Sequence, residues 1–222
     1  MMNDFKCKLN KRFSIVVATN REDILNKNLL ASPDIFYHDL HLQKKYTNVC
    51  KAYNDVISKT IEEIIIFVHQ DVYLPKGFFE QLENSIEQLK DIDWGILGSA
   101  GTTKECQAKG WVLDNGNNWG NEKNLPAEIQ TLDELILIAK KDIFNKITFD
   151  ECIPHHHMFG TDICLQANNI NKKNFAILAY CHHTAFDGRK PIPLNFYESR
   201  DYIRKKWMHK FPIYTTCTQI IK

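Results

Sequence analysis

Residues 64–68 read Ile-Ile-Ile-Phe-Val, a run of β-branched and aromatic side chains without polar interruption, and they stop abruptly at His69-Gln70-Asp71. Such a run is the pattern of a strand covered on both faces. Sheets flanked by helices on either side supply that environment, and ligands in open α/β sheets gather beyond the carboxyl ends of their strands. Asp71 is therefore expected at a sheet rim where chemistry is done. A plainer alternative is that Asp71 caps a turn, since Pro75 and Gly77 follow closely.

The rest of the chain alternates strand and helix signals. Residues 13–18 form a first strand stopping at Thr19-Asn20-Arg21, three residues able to hydrogen-bond a ligand at the same rim. A short second strand is expected within residues 33–40. Residues 46–58 have Val49, Ala52, Tyr53, Val56 and Ile57 at three- and four-residue intervals, the spacing of a helix, with Asn54 inside it. An asparagine on an otherwise apolar helix face needs a partner if it is buried. A helix over residues 78–89 leads to a strand at 94–101 that runs into a Gly/Ser bend. Between residues 102 and 126, Gly110, Gly116, Gly120 and four asparagines predict a long irregular loop anchored by Trp111 and Trp119. The sheet resumes at residues 133–139. Thr161 or Asp162 is expected to cap the helix that follows, and a last strand over 175–180 empties into Cys181-His182-His183.

At 222 residues this pattern suits one α/β domain, with a core at about 12–188 and a C-terminal helical extension at about 195–222. Within that extension, Ile203 and Trp207 are expected on the core with the lysines outward. Its basic and aromatic residues allow at most peripheral contact with an anionic membrane surface. Twenty-eight basic against twenty-seven acidic residues leave a formal charge of +1, which argues against a nucleic-acid binder. No apolar run reaches the length of a membrane span and the first residues lack a signal-peptide core, so a cytoplasmic protein is expected. Seven widely spaced cysteines without a Cys-x-x-Cys pair predict free, mostly buried thiols.

Taken in order, Ala18-Thr19-Asn20-Arg21, Ala52-Tyr53-Asn54, Phe67-Val68-His69-Gln70-Asp71-Val72, Thr131-Leu132-Asp133-Glu134, His157-Met158-Phe159-Gly160-Thr161-Asp162-Ile163-Cys164-Leu165 and His182-His183 resemble the nucleotide-sugar glycosyltransferases of the GT-A fold. The likeness is to the bacterial family-2-like members and covers roughly residues 12–188. It implies a Rossmann-like, mixed but mostly parallel sheet flanked by helices. It also implies transfer of a sugar from a nucleotide-diphosphate donor, with UDP the expected nucleotide, to a glycan or lipid-linked acceptor in polysaccharide biosynthesis. If the acceptor is lipid-linked, the inner face of the membrane is the expected place of work.

These enzymes commonly hold Mn²⁺ or Mg²⁺ on an Asp-x-Asp motif to neutralise the departing diphosphate. Here the first Asp is His69. The resemblance leaves Asp71 as metal ligand, with His182 or His183 from the late strand as a second, and an imidazole favours Mn²⁺. It places His69 near the ribose or diphosphate, with Gln70 among the donor-binding groups. Thr19, Asn20, Arg21 and Asn54 are expected on the nucleoside, and Asp133 near the donor sugar or acceptor.

The acidic pair that usually deprotonates the acceptor falls on Phe159 and Gly160 and is missing. Asp162 is then the candidate base and His157 the second candidate. Adjacent histidines point in different directions, so His155-His156-His157 does not read as a metal site. Two alternatives remain. A sugar nucleotidyltransferase would carry a Gly-rich basic loop after the first strand, which Thr19-Asn20-Arg21-Glu22-Asp23 is not. An inactive nucleotide- or carbohydrate-binding module of the same fold is made plausible by His69 and Gly160.

Overall fold

The computed structural model describes residues 12–184 and 192–221. Ile64–Val68 is strand β3, and its side chains alternate between two cores. Ile65 and Phe67 enter one, Ile64, Ile66 and Val68 the other, and none is more than 6% exposed. The seven-stranded sheet built around β3 contains β1 (Ser14–Thr19), β2 (Asp39–Lys44), β5 (Trp94–Gly98), β9 (Ala127–Ile129), β11 (Ile136–Lys140) and β12 (Lys173–Ala176). Its order is β2-β1-β3-β11-β5-β12-β9. Strands β2, β1, β3, β5 and β12 run in one direction, while β11 and β9 are antiparallel to their neighbours.

Helices cover both faces, as the two-sided burial of β3 requires. On one side lie α2 (Val49–Ile57), α4 (Phe159–Asn169) and α5 (Leu194–Lys206), which contribute Tyr53, Ile163 and Ile203. On the other lie α1 (Glu22–Lys27) and α3 (Phe78–Gln88), with Leu25, Phe78 and Leu82. Ile203 and Trp207 pack on the core as the periodicity predicts. Lys206 departs from the outward course expected of the lysines, because it reaches inward to Asp150 and Asp162.

A second sheet stands beyond the rim. It comprises β10 (Thr131–Leu132), β6 (Ala100–Thr102), β7 (Ala108–Asp114), β13 (Cys181–His183) and β4 (Val72–Tyr73), with β8 (Asn117–Asn121) paired to β7. The chain passes from β5 to β6 at Ser99, whose carbonyl accepts from Trp111 N. The passage demands glycine at position 110, where φ is +134° and a Cβ would lie 2.1 Å from that same carbonyl oxygen. A small hairpin, β14 (Ile213–Tyr214) with β15 (Gln219–Ile220), follows α5.

Six expectations change. The second strand starts at Asp39, and residues 33–37 are a turn and a 3₁₀ helix instead. Residues 102–126 carry the β7–β8 hairpin rather than an irregular loop. Asn115 and Gly116 both have positive φ there, at 47° and 79°, the two-residue turn that Asn-Gly favours. The strand expected at 94–101 is divided between the two sheets, and the last strand ends at Ala176 before β13 begins at Cys181. Helix α4 starts three to four residues earlier than expected, with Met158 in the left-handed N-cap position, so Thr161 and Asp162 lie inside its first turn. Of the six described cysteines, Cys50, Cys164 and Cys181 are buried but Cys106, Cys152 and Cys217 are exposed, and all six are free. Cys7 lies outside the described residues.

Candidate active site

Parallel strands β1 and β3 end at one edge of the main sheet, and antiparallel β11 begins there. The segments after Thr19, after Val68 and before Ile136 therefore share a rim. The His69 amide donates to the Leu135 carbonyl across it. Asp71 leads directly into β4, which pairs with β13 so that Val72 faces His183, and the Thr184 amide donates to the Asp71 carbonyl.

Side-chain alternation along β13 separates the two late histidines. His183 Nε2 lies 3.5 Å from Asp71 Oδ2, and its Nδ1 lies 2.9 Å from Asp114 Oδ1 at the end of β7. His182 takes the other face, with its ring centroid 5.4 Å from Tyr73 and 5.2 Å from Tyr180. Burial works against a charged His183, but the neighbouring Asp71 and Asp114 outweigh it and hold the ring up at about 9. For Asp71, burial pushes the carboxyl upward, and the His183 contact together with the His69 and His183 charges keeps it below the usual carboxylate range. Asp71 Oδ1 is buried and has no hydrogen-bond partner among the described residues. His69 Nδ1 is 3.8 Å from that oxygen, and burial lowers the His69 pKa.

Gln70 links two strand ends. Its Oε1 accepts from Thr19 Oγ1 at 2.7 Å, Arg21 N at 3.1 Å and Asn20 N at 3.3 Å, and its Nε2 donates to Asn20 Oδ1. Arg21 makes a two-pronged pair with Asp23. Thr19, Asn20, Arg21, His69, Gln70 and Asp71 are thus brought together, and Asp133 lies on the same rim. Asp133 Oδ1 accepts from Leu135 N, and its Oδ2 accepts from Thr216 Oγ1 at 2.7 Å, in the turn between β14 and β15.

Asn54 is not in this group. Its amide donates to the Phe149 carbonyl and Glu151 Oε1, and accepts from Thr148 Oγ1 and Phe149 N. It lines a cleft of about 820 Å³ with Glu62, Glu63 and Lys141, which precede β3 and follow β11 at the opposite edge of the sheet. Its need for partners is met by the 148–151 segment.

Asp162 does not face the rim either. It is 1% exposed; Oδ1 accepts from Trp207 Nε1 and Lys206 Nζ, both at 2.7 Å, and Oδ2 from Gln166 Nε2 at 2.6 Å. Its carboxylate fastens α4 to the end of α5. His157 packs against His156 and Phe196, with centroids at 4.3 and 5.5 Å. Burial and the His156 charge lower its pKa to about 4, which makes it a weak proton acceptor. His155 pairs with Glu198 of α5.

Two rim carboxylates escaped the sequence reading. Asp114 was concealed by the expectation of a loop, although Asn115-Gly116 is a hairpin signal that would have placed it at a strand end. Glu134 had no periodic signal at all. Its Oε1 accepts from Gly160 N at 3.2 Å, and burial followed by the Asp133 charge raises its pKa well above the usual carboxylate range.

Among the described residues no three His, Cys, Asp or Glu side chains are gathered into a ready metal-ion sphere. The pair Asp71 and His183 nevertheless suits a shared ion. One buried carboxylate oxygen lacks a partner, an imidazole nitrogen lies beside the other, and nucleotide-bound divalent ions commonly take only one or two protein groups plus phosphate oxygens.

The mixed sheet, the helices on both faces and the second sheet at the rim define the GT-A glycosyltransferase fold, which solved structures share. S. aureus TarS in complex with UDP-GlcNAc superimposes with a TM-score of 0.56 at 18% identity, over 88% of this chain and 66% of that one. GalNAc-T7 with UDP, GalNAc and Mn²⁺ gives 0.58 at 9% identity, over 90% and 49%. The Pyrobaculum calidifontis mannosyltransferase PcManGT, with GDP-Man and Mn²⁺, gives 0.50 at 12%, over 88% and 61%. In sequence, the chain is 29% identical over 158 residues to a Fuscovulum blasticum protein described as "ATP synthase subunits region ORF 6", covering 67% of this chain and 61% of that protein. No family model matches. No helix among the described residues is long and apolar enough to cross a membrane.

Proposed function

We propose that this chain is a glycosyltransferase that moves a sugar from a nucleotide-diphosphate donor, UDP-linked in the first instance, to a hydroxyl of a glycan or lipid-linked acceptor. The observation that carries the reading is Asp71, a half-buried carboxylate after the carboxyl end of β3 whose buried Oδ1 has no hydrogen-bond partner among the described residues and whose other oxygen has His183 beside it. Polar groups buried without a partner are costly, and such vacancies are kept where a ligand fills them. The neighbours' UDP-GlcNAc, UDP with GalNAc, and GDP-Man support a nucleotide sugar as donor, and two of those structures contain Mn²⁺.

In this reading Asp71 and His183 hold Mn²⁺ or, less well suited to imidazole, Mg²⁺. A divalent ion there would supply charge neutralisation for the diphosphate as it leaves. Asp114 fixes the His183 ring through Nδ1 and so aims Nε2, the orienting role that partners of metal-bound imidazoles play. Thr19, Asn20 and Arg21, held in register by Gln70, present the rim of β1 to the nucleoside. His69 borders the ribose or diphosphate, and Asp133 the donor sugar or acceptor.

Thermal shift with UDP-GlcNAc, UDP-GalNAc and GDP-mannose tests this directly. One donor is expected to raise Tm in the presence of Mn²⁺ and to do so far less with EDTA; at a hundred times Kd the gain is about 2.7 kcal/mol. Asp71→Ala should abolish the Mn²⁺-dependent part. A donor response indifferent to Mn²⁺ and to Asp71→Ala sinks the metal assignment, and donor binding without any transfer leaves a binding module.

A further inference from the structure

We infer that Glu134 takes the proton from the attacking acceptor hydroxyl, an assignment that rests on the glycosyl-transfer reading above. Among the described residues the other acidic groups at the rim are engaged. Asp71 and Asp114 flank His183, while Asp133 accepts from Thr216 Oγ1 and the Leu135 amide. Asp162 is buried with three donors, and His157 lies against α5. Among the described residues no side chain hydrogen-bonds Glu134, whose carboxylate takes backbone amides, with Gly160 N at 3.2 Å from Oε1.

Position supports the role. Leu135 is hydrogen-bonded to His69 across the rim, so Glu134 adjoins the turn that carries Asp71. Gly160 makes the space. A Cβ there would stand 3.0 Å from the Leu132 carbonyl oxygen and 3.1 Å from Glu134 Cγ. The Glu134 side chain thus occupies the volume that a side chain from the first turn of α4 would otherwise enter. The exposed amides and the axial dipole at that helix start favour its anion, but burial and the Asp133 charge outweigh them and hold the carboxyl up at about 8. The anion is therefore a stronger base than an exposed glutamate, and it predominates above that pH. Among the described residues, the titratable groups near it include Cys50 and Tyr53 of α2 and Cys164 of α4, and burial raises the pKa of all three and keeps them neutral.

The step balances without a further reagent. As the acceptor oxygen forms its bond to the anomeric carbon, its proton passes to the Glu134 carboxylate. The bond from that carbon to the diphosphate oxygen breaks, and its electron pair leaves with the nucleoside diphosphate. Glu134 then gives the proton to solvent. Direct displacement makes the product anomer opposite to that of the donor.

The test uses the full chain with Mn²⁺ and UDP-GlcNAc, UDP-GalNAc and GDP-mannose, with simple sugars and water as acceptors. It measures nucleoside diphosphate release, product anomer by NMR and donor affinity by calorimetry. Glu134→Gln, which can still accept from Gly160, should lower kcat by roughly 10²- to 10⁴-fold and leave donor Kd within about threefold. The paired change Glu134→Ala with Gly160→Asp, which offers a carboxylate from the helix instead, should recover about tenfold or more over Glu134→Ala alone. Retention of anomeric configuration, a near-wild-type kcat in Glu134→Gln, or loss of donor affinity in step with kcat overturns the assignment. A wild-type chain that neither binds nor consumes any of the donors overturns the glycosyl-transfer reading, and this assignment with it, before any variant is made.

Discussion

Asp71, half-buried just after β3, and Asp162, buried in the first turn of α4, have opposite surroundings. Asp162 uses both oxygens, with an indole, an ammonium and an amide converging on it at 2.6–2.7 Å. Asp71 has one oxygen with no partner and the other 3.5 Å from an imidazole. A fully satisfied buried carboxylate fastens parts of the protein to one another; one left incomplete is a place for something from outside. Burial alone would have ranked Asp162 as the stronger functional candidate, and partner accounting reverses that order.

Removing each carboxylate should therefore have unequal effects. Asp162→Ala leaves Trp207 Nε1 without its acceptor and Lys206 with Asp150 alone, and is expected to cost about 2–3 kcal/mol in urea unfolding, the upper part of the range for a buried donor left unsatisfied. Asp71→Ala should change stability by no more than about 1 kcal/mol while removing Mn²⁺-dependent donor binding. Equal losses in the two variants would break the comparison.

His38 sharpens it with a buried group kept neutral. The ring is 5% exposed, lies 3.9 Å from Phe79 centroid to centroid, and accepts from Phe13 N through Nδ1. Burial, reinforced by the Arg12 charge, depresses its pKa to about 4. The unfolded chain binds a proton near pH 6.5 that the folded chain refuses until about pH 4. This contribution is thus complete above pH 6.5 and is lost as pH falls from 6.5 toward 4, by about 2–3 kcal/mol. His38→Asn, which can still accept from Phe13 N, should be less stable at pH 7 but show a flatter stability profile over that window. An unchanged slope would mean that His38 is not the group responsible.

The smallest expected effect is at Gln70. Three donors converge on its Oε1, so Gln70→Ala should cost about 1–2 kcal/mol and weaken donor affinity through misplacement of residues 19–21. Unaltered donor affinity would detach the β1 rim from the nucleoside.

The main sheet was legible because its signal is local. A run such as Ile64–Val68 declares two-sided burial within five residues, and the polar triplet after it marks the rim. Residues 102–126 were misread because composition was weighed above the one dipeptide, Asn115-Gly116, that specifies a turn. Asp162 was misplaced for a different reason. Its donors Trp207 and Lys206 are more than forty residues away, and no spacing rule near position 162 announces them. The late histidines could be narrowed only to a pair, because strand alternation separates them but the facing direction depends on β4 and β7 as neighbours. Glu134 was invisible since its significance comes from a missing side chain, that of Gly160, on another element.

The pairing of β4 with β13 has a mechanical corollary. Asp71 is joined covalently to β4, His183 belongs to β13, and the Thr184 amide ties the two backbones together. If the second sheet were displaced against the first, Asp71 and His183 would travel as one rigid cassette with their spacing preserved. The strain would fall on the gap between Asp71 and His69, whose backbone is anchored to β11 through Leu135. The spacing of Asp71 and His183 is in this sense insulated from breathing of the scaffold, and the variable dimension is the distance to His69.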